Sequence, residues 1–202
     1  MRYTRRNILS KLQHLALVAS VACLPALAQA QASITIKDMA GRSVTVPEKV
    51  DRIVGLGPGA LRLISYLQAT DKVVGVEDME KSSATGRPYW IANPQMAKLP
   101  RSGPGGPATI NKKPDLEALL SVRPQVIFVT YMDAPLVDEV QKTLGIPVVL
   151  LDYGALGSFN KTVYDSLRVA GKVLKKEQRA EAVASFIQSL QQDLAKRAQA
   201  VP

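Results

Sequence analysis

A glycine-rich loop is the part of the sequence most suggestive of ligand chemistry. Residues 55–60 read Gly-Leu-Gly-Pro-Gly-Ala and satisfy the pattern G-x-G-x-x-[G/A]. Glu77 follows about twenty residues later, as the acidic residue of a dinucleotide-binding fingerprint would. Pro58 lacks the backbone N–H that would bind a pyrophosphate, which favours the alternative of a tight strand-to-helix turn.

A second group of residues combines a cation with aromatic rings. Arg87, Tyr89 and Trp90 fall close together in a segment rich in Gly, Pro and Ser. A guanidinium beside aromatic rings suits an anionic or aromatic ligand, and the alternative is that the two rings only pack the segment down. No constellation of base, nucleophile and oxyanion donors is visible in the sequence, so we predict neither an enzyme nor a resident cofactor.

The N-terminus has the composition of an export signal. Basic residues come first, an apolar run over residues 15–28 follows, and residues 28–30 read Ala-Gln-Ala, a small-x-small cleavage pattern. We predict a signal peptide over residues 1–30 and a periplasmic protein exported by the Sec or twin-arginine route. A retained anchor and a lipoprotein acylated at Cys23 are the alternatives. The single Cys (Cys23) and the single His (His14) both lie in this segment, so the mature chain would have no Cys or His metal site.

Composition and charge exclude several classes of protein. The chain has 202 residues, of which 47% are hydrophobic and 21% charged, as in an ordinary globular domain. The formal net charge of +9 comes mostly from the two ends, since residues 31–160 contain 14 basic and 13 acidic residues. A nearly neutral body lacks the basic face that nucleic acid binding requires.

The hydrophobic pattern predicts an α/β fold. A β-hairpin over residues 33–47 precedes strands at residues 52–56, 72–76, 125–130 and 147–151. Helices are predicted at residues 60–67, 114–121, 135–144, 158–174 and 176–199, and residues 77–113 form a long loop. Alternating strands and helices indicate a parallel, Rossmann-like sheet, here with an N-terminal hairpin and a long final helix.

A parallel sheet also predicts where a ligand binds. Ligands of open α/β sheets bind beyond the carboxyl ends of the strands, where the glycine-rich loop and the Arg87–Trp90 cluster are both expected. The predicted ligand-binding residues are Gly57, Pro58, Gly59, Arg62, Glu77, Arg87, Tyr89, Trp90, Gly105, Tyr131 and Tyr153.

Several segments together resemble a known family. Residues 34–47 (ITIKDMAGRSVTVP), 67–76 (LQATDKVVGV), 114–127 (PDLEALLSVRPQVI), 144–149 (LGIPVV) and 166–174 (SLRVAGKVL) occur in the order found in periplasmic substrate-binding proteins of iron(III)-siderophore and cobalamin ABC transporters. The resemblance covers residues 33–195.

The resemblance implies a bilobal clamp with the ligand between two α/β lobes joined by one long helix. Residues 33–157 would form the N-terminal ligand-binding lobe, and residues 158–202 the helices that include the joining helix. A second lobe does not follow in this sequence, so we expect a truncated form whose last helix leaves part of its apolar stripe exposed.

The resemblance also implies a ligand and a partner. It favours an iron(III)-siderophore-like metal chelate, with cobalamin, haem or molybdate as alternatives, and a nucleotide-binding enzyme as the alternative from the glycine-rich loop. The partner is an inner-membrane ABC permease. Acidic residues that would dock on it are Asp133, Asp138 and Glu139.

Overall fold

A five-stranded parallel sheet forms the centre of the fold. The computed structural model describes residues 32–82, 85–154 and 161–199, so the predicted signal peptide lies outside the described residues. The strand order is β5-β4-β3-β6-β7, which confirms the predicted α/β fold. The strands are β3 (Ile53–Leu56), β4 (Val73–Glu77), β5 (Arg101–Gly103), β6 (Val126–Val129) and β7 (Val148–Leu150). The three strands β3, β6 and β7 are buried along their whole length, as expected for a sheet covered on both faces.

The predicted β-hairpin forms a separate two-stranded antiparallel sheet. Strands β1 (Ser33–Lys37) and β2 (Ser43–Pro47) pair from Ser33 opposite Pro47 to Lys37 opposite Ser43. Ile36, Val44 and Val46 point inward and are buried. The turn lies against the central sheet, because the backbone N–H of Met39 donates to the carbonyl of Leu150 at 3.0 Å.

Seven helices pack around the sheet in the described ranges. They are α1 (Ala60–Tyr66), α2 (Asp78–Ser82), α3 (Pro88–Ile91), α4 (Leu116–Val122), α5 (Ala134–Leu144), α6 (Lys161–Leu174) and α7 (Glu177–Gln199). Asp115 caps α4 by accepting a hydrogen bond from the Ala118 N–H at 3.0 Å. Over the described part of the chain, we find no helix with the length and apolar character needed to cross a membrane.

The prediction that residues 77–113 form a long loop is wrong, because this segment contains regular secondary structure. The segment contains α2, α3, 3₁₀ turns at Pro94–Lys98 and Pro107–Thr109, and the edge strand β5. Strand β5 reads Arg-Ser-Gly, which has no apolar alternation, and it pairs only with β4. Strands this short and polar leave no periodic pattern, so the sequence could not reveal them.

Two apolar clusters lie on the sheet. One contains Phe128, Leu63, Leu167 and the inward side chains of the hairpin, so it joins α1 and α6 to the sheet. The other contains Ile127, Leu119 and Val137 and joins α4 and α5. Adjacent residues of β6 thus enter different clusters, as the alternation of side chains along a strand requires.

Helix α7 packs through its first half only. Ala180, Val183 and Ala184 are buried, with Ala180 packed against Gly171 of α6. Further along, Phe186, Leu190 and Leu194 are 62%, 47% and 65% exposed. Every residue from position 188 to 199 is exposed, so the second half of the helix has little tertiary support.

We expect this difference to appear in amide hydrogen exchange. Residues 177–187 should be protected like α6, whereas residues 188–199 should exchange faster by at least an order of magnitude, because a helix end without packing opens locally. Exchange measured by mass spectrometry or NMR on the same sample compares the two halves directly. Equal protection along the whole of α7 would contradict this expectation.

Candidate ligand-binding site

The carboxyl ends of the parallel strands bring the predicted site residues to one edge of the sheet. Gly57 follows β3, Glu77 ends β4, Tyr131 follows β6, and Tyr153 comes shortly after β7. At Gly59 the backbone adopts φ +88°, and the Tyr153 ring lies directly against it. The strand-end rule therefore located this edge correctly.

A cavity of about 240 Å³ opens at this edge and is called here the Arg62 pocket. Seven of the eleven residues predicted from the sequence line it. Its lining comprises Gly57, Pro58, Gly59, Arg62, Glu77, Met79, Glu80, Arg87, Tyr89, Gly106 and Pro107.

A second, smaller cavity of about 50 Å³ lies beside the first and is called here the Ser102 cavity. Gly57 and Glu77 line both cavities, and the predicted residues Gly105 and Tyr131 line this one. The Ser102 side chain is fully buried, and its hydroxyl has no hydrogen-bond partner in the described part of the chain.

Arg62 is held between two aromatic rings. Its guanidinium carbon lies 5.4 Å from the centroid of the Tyr89 ring and 5.6 Å from that of Tyr153. Nη1 donates to the Tyr153 hydroxyl at 2.8 Å, while the buried Nε has no partner in the described residues. Cation–π contacts fix the guanidinium plane without neutralising its charge, so it remains available to an anion.

Glu80 is a buried acid that lines the Arg62 pocket and contacts Tyr89 and Arg87. Tyr89 donates its hydroxyl to both carboxylate oxygens of Glu80, at 3.0 and 2.8 Å. Burial raises the pKa of the Tyr89 phenol, and the negative Glu80 raises it further. Tyr89 therefore stays protonated and acts as a hydrogen-bond donor.

Arg87 has structural partners rather than a free guanidinium. Its Nη1 donates to the carbonyls of Met79 and Glu80, at 2.5 and 3.2 Å, and lies 3.6 Å from the Glu80 carboxylate. These contacts join α3 to α2. Arg87 lines the Arg62 pocket, as predicted, but its hydrogen bonds hold α2 in place, whereas the sequence suggested a cation directed at the ligand.

Glu77 forms the wall between the two cavities. Its side chain is 8% exposed, and one carboxylate oxygen accepts the Gly57 N–H at 3.1 Å. Burial raises the pKa of Glu77 to about 7, although the Gly57 hydrogen bond opposes this, and the charges of Glu80 and Asp78 act in the same direction as burial. A carboxyl group near its pKa at neutral pH can accept or release a proton there.

Two of the predicted ligand-binding residues are buried and do not line the Arg62 pocket. Trp90 is 7% exposed and belongs to the hydrophobic core, and it does not line the Arg62 pocket. Its side chain lies on the buried side of α3. This favours the alternative given above, in which the aromatic ring packs the segment against the core. Tyr153 is also 7% exposed, and its hydroxyl accepts the hydrogen bond from Arg62.

The three acids predicted to dock on a permease lie at the start of α5. All three are exposed, and each has a partner within the chain. Asn111 Nδ2 donates to Asp133 at 2.9 Å, Arg42 Nε donates to Asp138 at 2.8 Å, and Lys113 donates to Glu139 at 2.9 Å.

The glycine-rich loop lacks the donors that a dinucleotide needs. The Gly57 N–H is already bonded to Glu77, the acid that the fingerprint would assign to a ribose. Pro58 has no N–H, and helix α1 is only seven residues long. This arrangement favours the tight-turn interpretation of the loop over a pyrophosphate site.

Sequence reasoning missed several lining residues, above all Glu80, Met79 and Ser102. Glu80 and Met79 come directly after β4, so the strand-end rule, if extended by one helical turn, would have included them. Ser102 sits on the unpredicted strand β5. No pattern in the sequence could have placed it beside Glu77.

Comparison with known proteins identifies the family. A family model described as "Periplasmic binding protein" matches residues 53–201. The chain belongs to the periplasmic binding protein family. This confirms the resemblance found in the sequence, and it makes the chain a relative of solute-binding transport components.

One curated relative is 30% identical over 163 residues. It is the molybdate-binding protein MolA of Haemophilus influenzae, and the match covers 78% of this chain and 44% of MolA. The chain thus spans about half the length of this relative.

Solved structures share the fold of this periplasmic binding protein. A periplasmic solute binding protein from Veillonella parvula superposes with a TM-score of 0.69 at 23% identity, covering 85% of this chain and 50% of that one. MolA bound to molybdate gives 0.67 at 24% identity, covering 84% and 55%. The catecholate-siderophore binding protein VctP from Vibrio cholerae gives 0.63 at 21% identity, covering 83% and 55%.

Proposed function

We propose that this chain contributes a solute-binding lobe to an ABC uptake transporter and takes an anionic metal complex, an iron(III)-siderophore-like chelate. The observation that carries this proposal is Arg62, whose guanidinium is stacked between Tyr89 and Tyr153 in a cavity at the strand carboxyl ends. The role is binding rather than catalysis, and the compartment is the periplasm, reached through the N-terminal export signal.

The pocket has the chemistry that an anionic chelate needs. Arg62 supplies a charge whose buried Nε has no partner among the described residues. The Arg62 guanidinium and the Tyr89 ring line the pocket and suit planar catecholate groups, which stack on aromatic and guanidinium surfaces.

The metal would arrive already coordinated. Within the described ranges, no three His, Cys, Asp or Glu side chains come together in a way that could hold a metal ion. A chelate supplies its own ligands to iron, so the protein has to recognise only the outer surface and the charge of the complex.

A small oxyanion is the second candidate. The 30% identity to a molybdate-binding protein favours it. The Arg62 guanidinium is the kind of donor an oxyanion uses. A pocket of about 240 Å³ is larger than a tetrahedral oxyanion needs, which supports the chelate as the first choice.

The partner we propose is the membrane permease of the same transporter. Asp133, Asp138 and Glu139 are exposed and do not line the Arg62 pocket. The partners of Asp133 and Glu139, Asn111 and Lys113, are also exposed, so permease arginines could compete for these two carboxylates.

Substituting Arg62 tests the ligand assignment. We expect Arg62→Gln to weaken binding of an iron(III) tris-catecholate complex by about tenfold or more, because a charge-assisted hydrogen bond is worth about 1.5–3 kcal/mol. Isothermal titration calorimetry at high protein concentration measures this, with molybdate and haem as parallel ligands.

Arg197→Gln is the matched control. It removes the same charge from the exposed part of α7, where Arg197 pairs with Asp193, and should leave binding unchanged. Tighter binding of molybdate than of the chelate would move the assignment to the oxyanion. Equal chelate affinity in Arg62→Gln and the unsubstituted chain would contradict the proposed site.

A further inference from the structure

Glu77 is a buried acid without a basic partner in the described part of the chain. Its side chain is 8% exposed and lines both the Arg62 pocket and the Ser102 cavity. The hydrogen bond given to it comes from the Gly57 N–H at 3.1 Å. Gly105 packs against the other side of the carboxyl group.

The charged groups around Glu77 do not neutralise it. Helix α2 presents Asp78 and Glu80, both acidic. Arg62 on α1 donates to Tyr153, and Arg87 before α3 pairs with Glu80. In the segment that closes the Ser102 cavity, Asp115 pairs with Arg101 and Lys113 pairs with Glu139, while Lys112 lines the exposed mouth. None of the cations in the described residues is paired with Glu77, and Asp78 and Glu80 are the charges that raise its pKa in addition to burial.

An anion in the Arg62 pocket would meet this carboxylate. Gly57 and Glu77 line the same cavity as Arg62, so an anion bound by Arg62 shares this cavity with the Glu77 carboxyl group and the Gly57 backbone. The Gly57 N–H is the donor that Glu77 now uses. A negative ligand and an ionised Glu77 therefore compete for one donor and repel each other.

We propose that Glu77 sets the charge of the ligand that the pocket accepts, by taking up one proton from solvent when an anion binds. The proton adds to the Glu77 carboxylate, and the ligand oxygen then accepts the released Gly57 N–H. A neutral ligand binds without this proton. The inference rests on the proposed function, because it assumes that the Arg62 pocket binds anions.

The pH dependence follows from the direction of the Glu77 shift. The pKa of Glu77 is about 7 before a ligand binds, and a bound anion raises it further. The protonated form binds the anion better, so affinity is highest and constant below about pH 6 and falls by up to tenfold per pH unit above about pH 7.

The full chain can be tested with two probes. Molybdate is a dianion throughout a range of about pH 6 to about pH 9, and an iron(III) tris-hydroxamate is neutral over the same range. We expect the molybdate affinity to fall about tenfold between about pH 7.5 and about pH 8.5, and the affinity for the neutral chelate to stay constant. Calorimetry in buffers of different ionisation enthalpy should show close to one proton taken up per molybdate at the upper end of this range.

Two variants isolate Glu77. Glu77→Gln keeps the shape and an acceptor for Gly57 but cannot ionise, so molybdate binding should become independent of pH and should exceed that of the unsubstituted chain above about pH 8. Asp78→Asn removes a neighbouring charge that pairs with Arg101 at the surface and helps to raise the pKa of Glu77, so it should keep the pH dependence but move its midpoint to lower pH.

A readout without any ligand separates the two proposals. The ¹⁵N chemical shift of the Gly57 amide should titrate with a midpoint of about pH 7 and lose that titration in Glu77→Gln. If molybdate binds equally well across the range, or without proton uptake, the coupling is wrong and the proposed function stands. If neither molybdate nor the iron(III) tris-catecholate complex binds at any pH, the proposed function fails and the coupling fails with it, whatever the Gly57 titration shows.

Discussion

Replacing Asp38 with alanine should lower the free energy of unfolding by about 3 kcal/mol or more. The Asp38 carboxylate is fully buried and pairs with Arg42 at 2.8 Å. It also accepts the backbone N–H groups of Ala40, Arg42 and Leu150, at 3.0, 3.0 and 3.2 Å. Alanine leaves these three donors without this acceptor, and the Leu150 N–H is buried away from water. Urea denaturation followed by circular dichroism measures the loss.

Asp51→Ala is the matched control for this experiment. Asp51 is an exposed carboxylate that pairs with Lys49 and Lys72 at the surface, and such pairs contribute little. Its removal should leave the denaturation midpoint close to that of the unsubstituted chain, and Asp38→Asn, which keeps one acceptor oxygen, should fall between the two alanine variants. An Asp38→Ala midpoint equal to that of Asp51→Ala would show that the hairpin turn is not held by this carboxylate.

This cluster gives a physical reason for the Asp38–Arg42 part of the sequence resemblance. Asp38 closes the turn between β1 and β2 and at the same time binds the Leu150 N–H of β7. Arg42 reaches the Val148 carbonyl of the same strand at 3.2 Å and Asp138 on α5. Polar contacts therefore fix the hairpin to the sheet edge. The pattern of hydrophobic and polar residues along the sequence does not predict such contacts.

Much of the fold was predictable because its strands and helices have simple periodicity. The apolar run at Val126–Val129 belongs to a strand covered on both faces, and α7 was predicted to within one residue of its observed start. The exceptions are short elements whose stability comes from neighbours. Strand β5 exists because β4 offers a free edge, and α3 exists because Trp90 packs into the core.

The common edge of the candidate site residues was predictable, but the partners of their charged groups were not. The strand-end rule placed Gly57 and Glu77 at one edge, since it depends only on topology. Which cation stays available depends on partners that are distant in sequence, such as Tyr153 for Arg62 and Glu80 for Arg87. Charge pairing of this kind leaves no local pattern, which is why Arg87 looked equivalent to Arg62.

Replacing Gly59 with alanine should lower stability by about 2–4 kcal/mol, because two costs combine there. The backbone at φ +88° is left-handed, which costs an L-residue about 1–2 kcal/mol. A Cβ atom would also lie 2.5 Å from Cδ2 of Tyr153, so the ring has to move. Because Tyr153 holds Arg62 through both its hydroxyl and its ring, we also expect chelate binding to weaken by about tenfold, as in Arg62→Gln.

Gly41→Ala separates these two costs. Gly41 has φ +76°, and a Cβ there meets nothing within 4 Å, so only the backbone cost of about 1 kcal/mol remains. In a chain that carries Tyr153→Ala the ring is gone, and the additional effect of Gly59→Ala should fall to that of Gly41→Ala, since a double-mutant cycle isolates the contact between the two residues. Chemical denaturation of the four combinations at positions 59 and 153, with Gly41→Ala beside them, gives the coupling. If Gly59→Ala costs the same with and without the Tyr153 ring, the glycine serves only the turn, and the close approach of the loop to Tyr153 does not position Arg62.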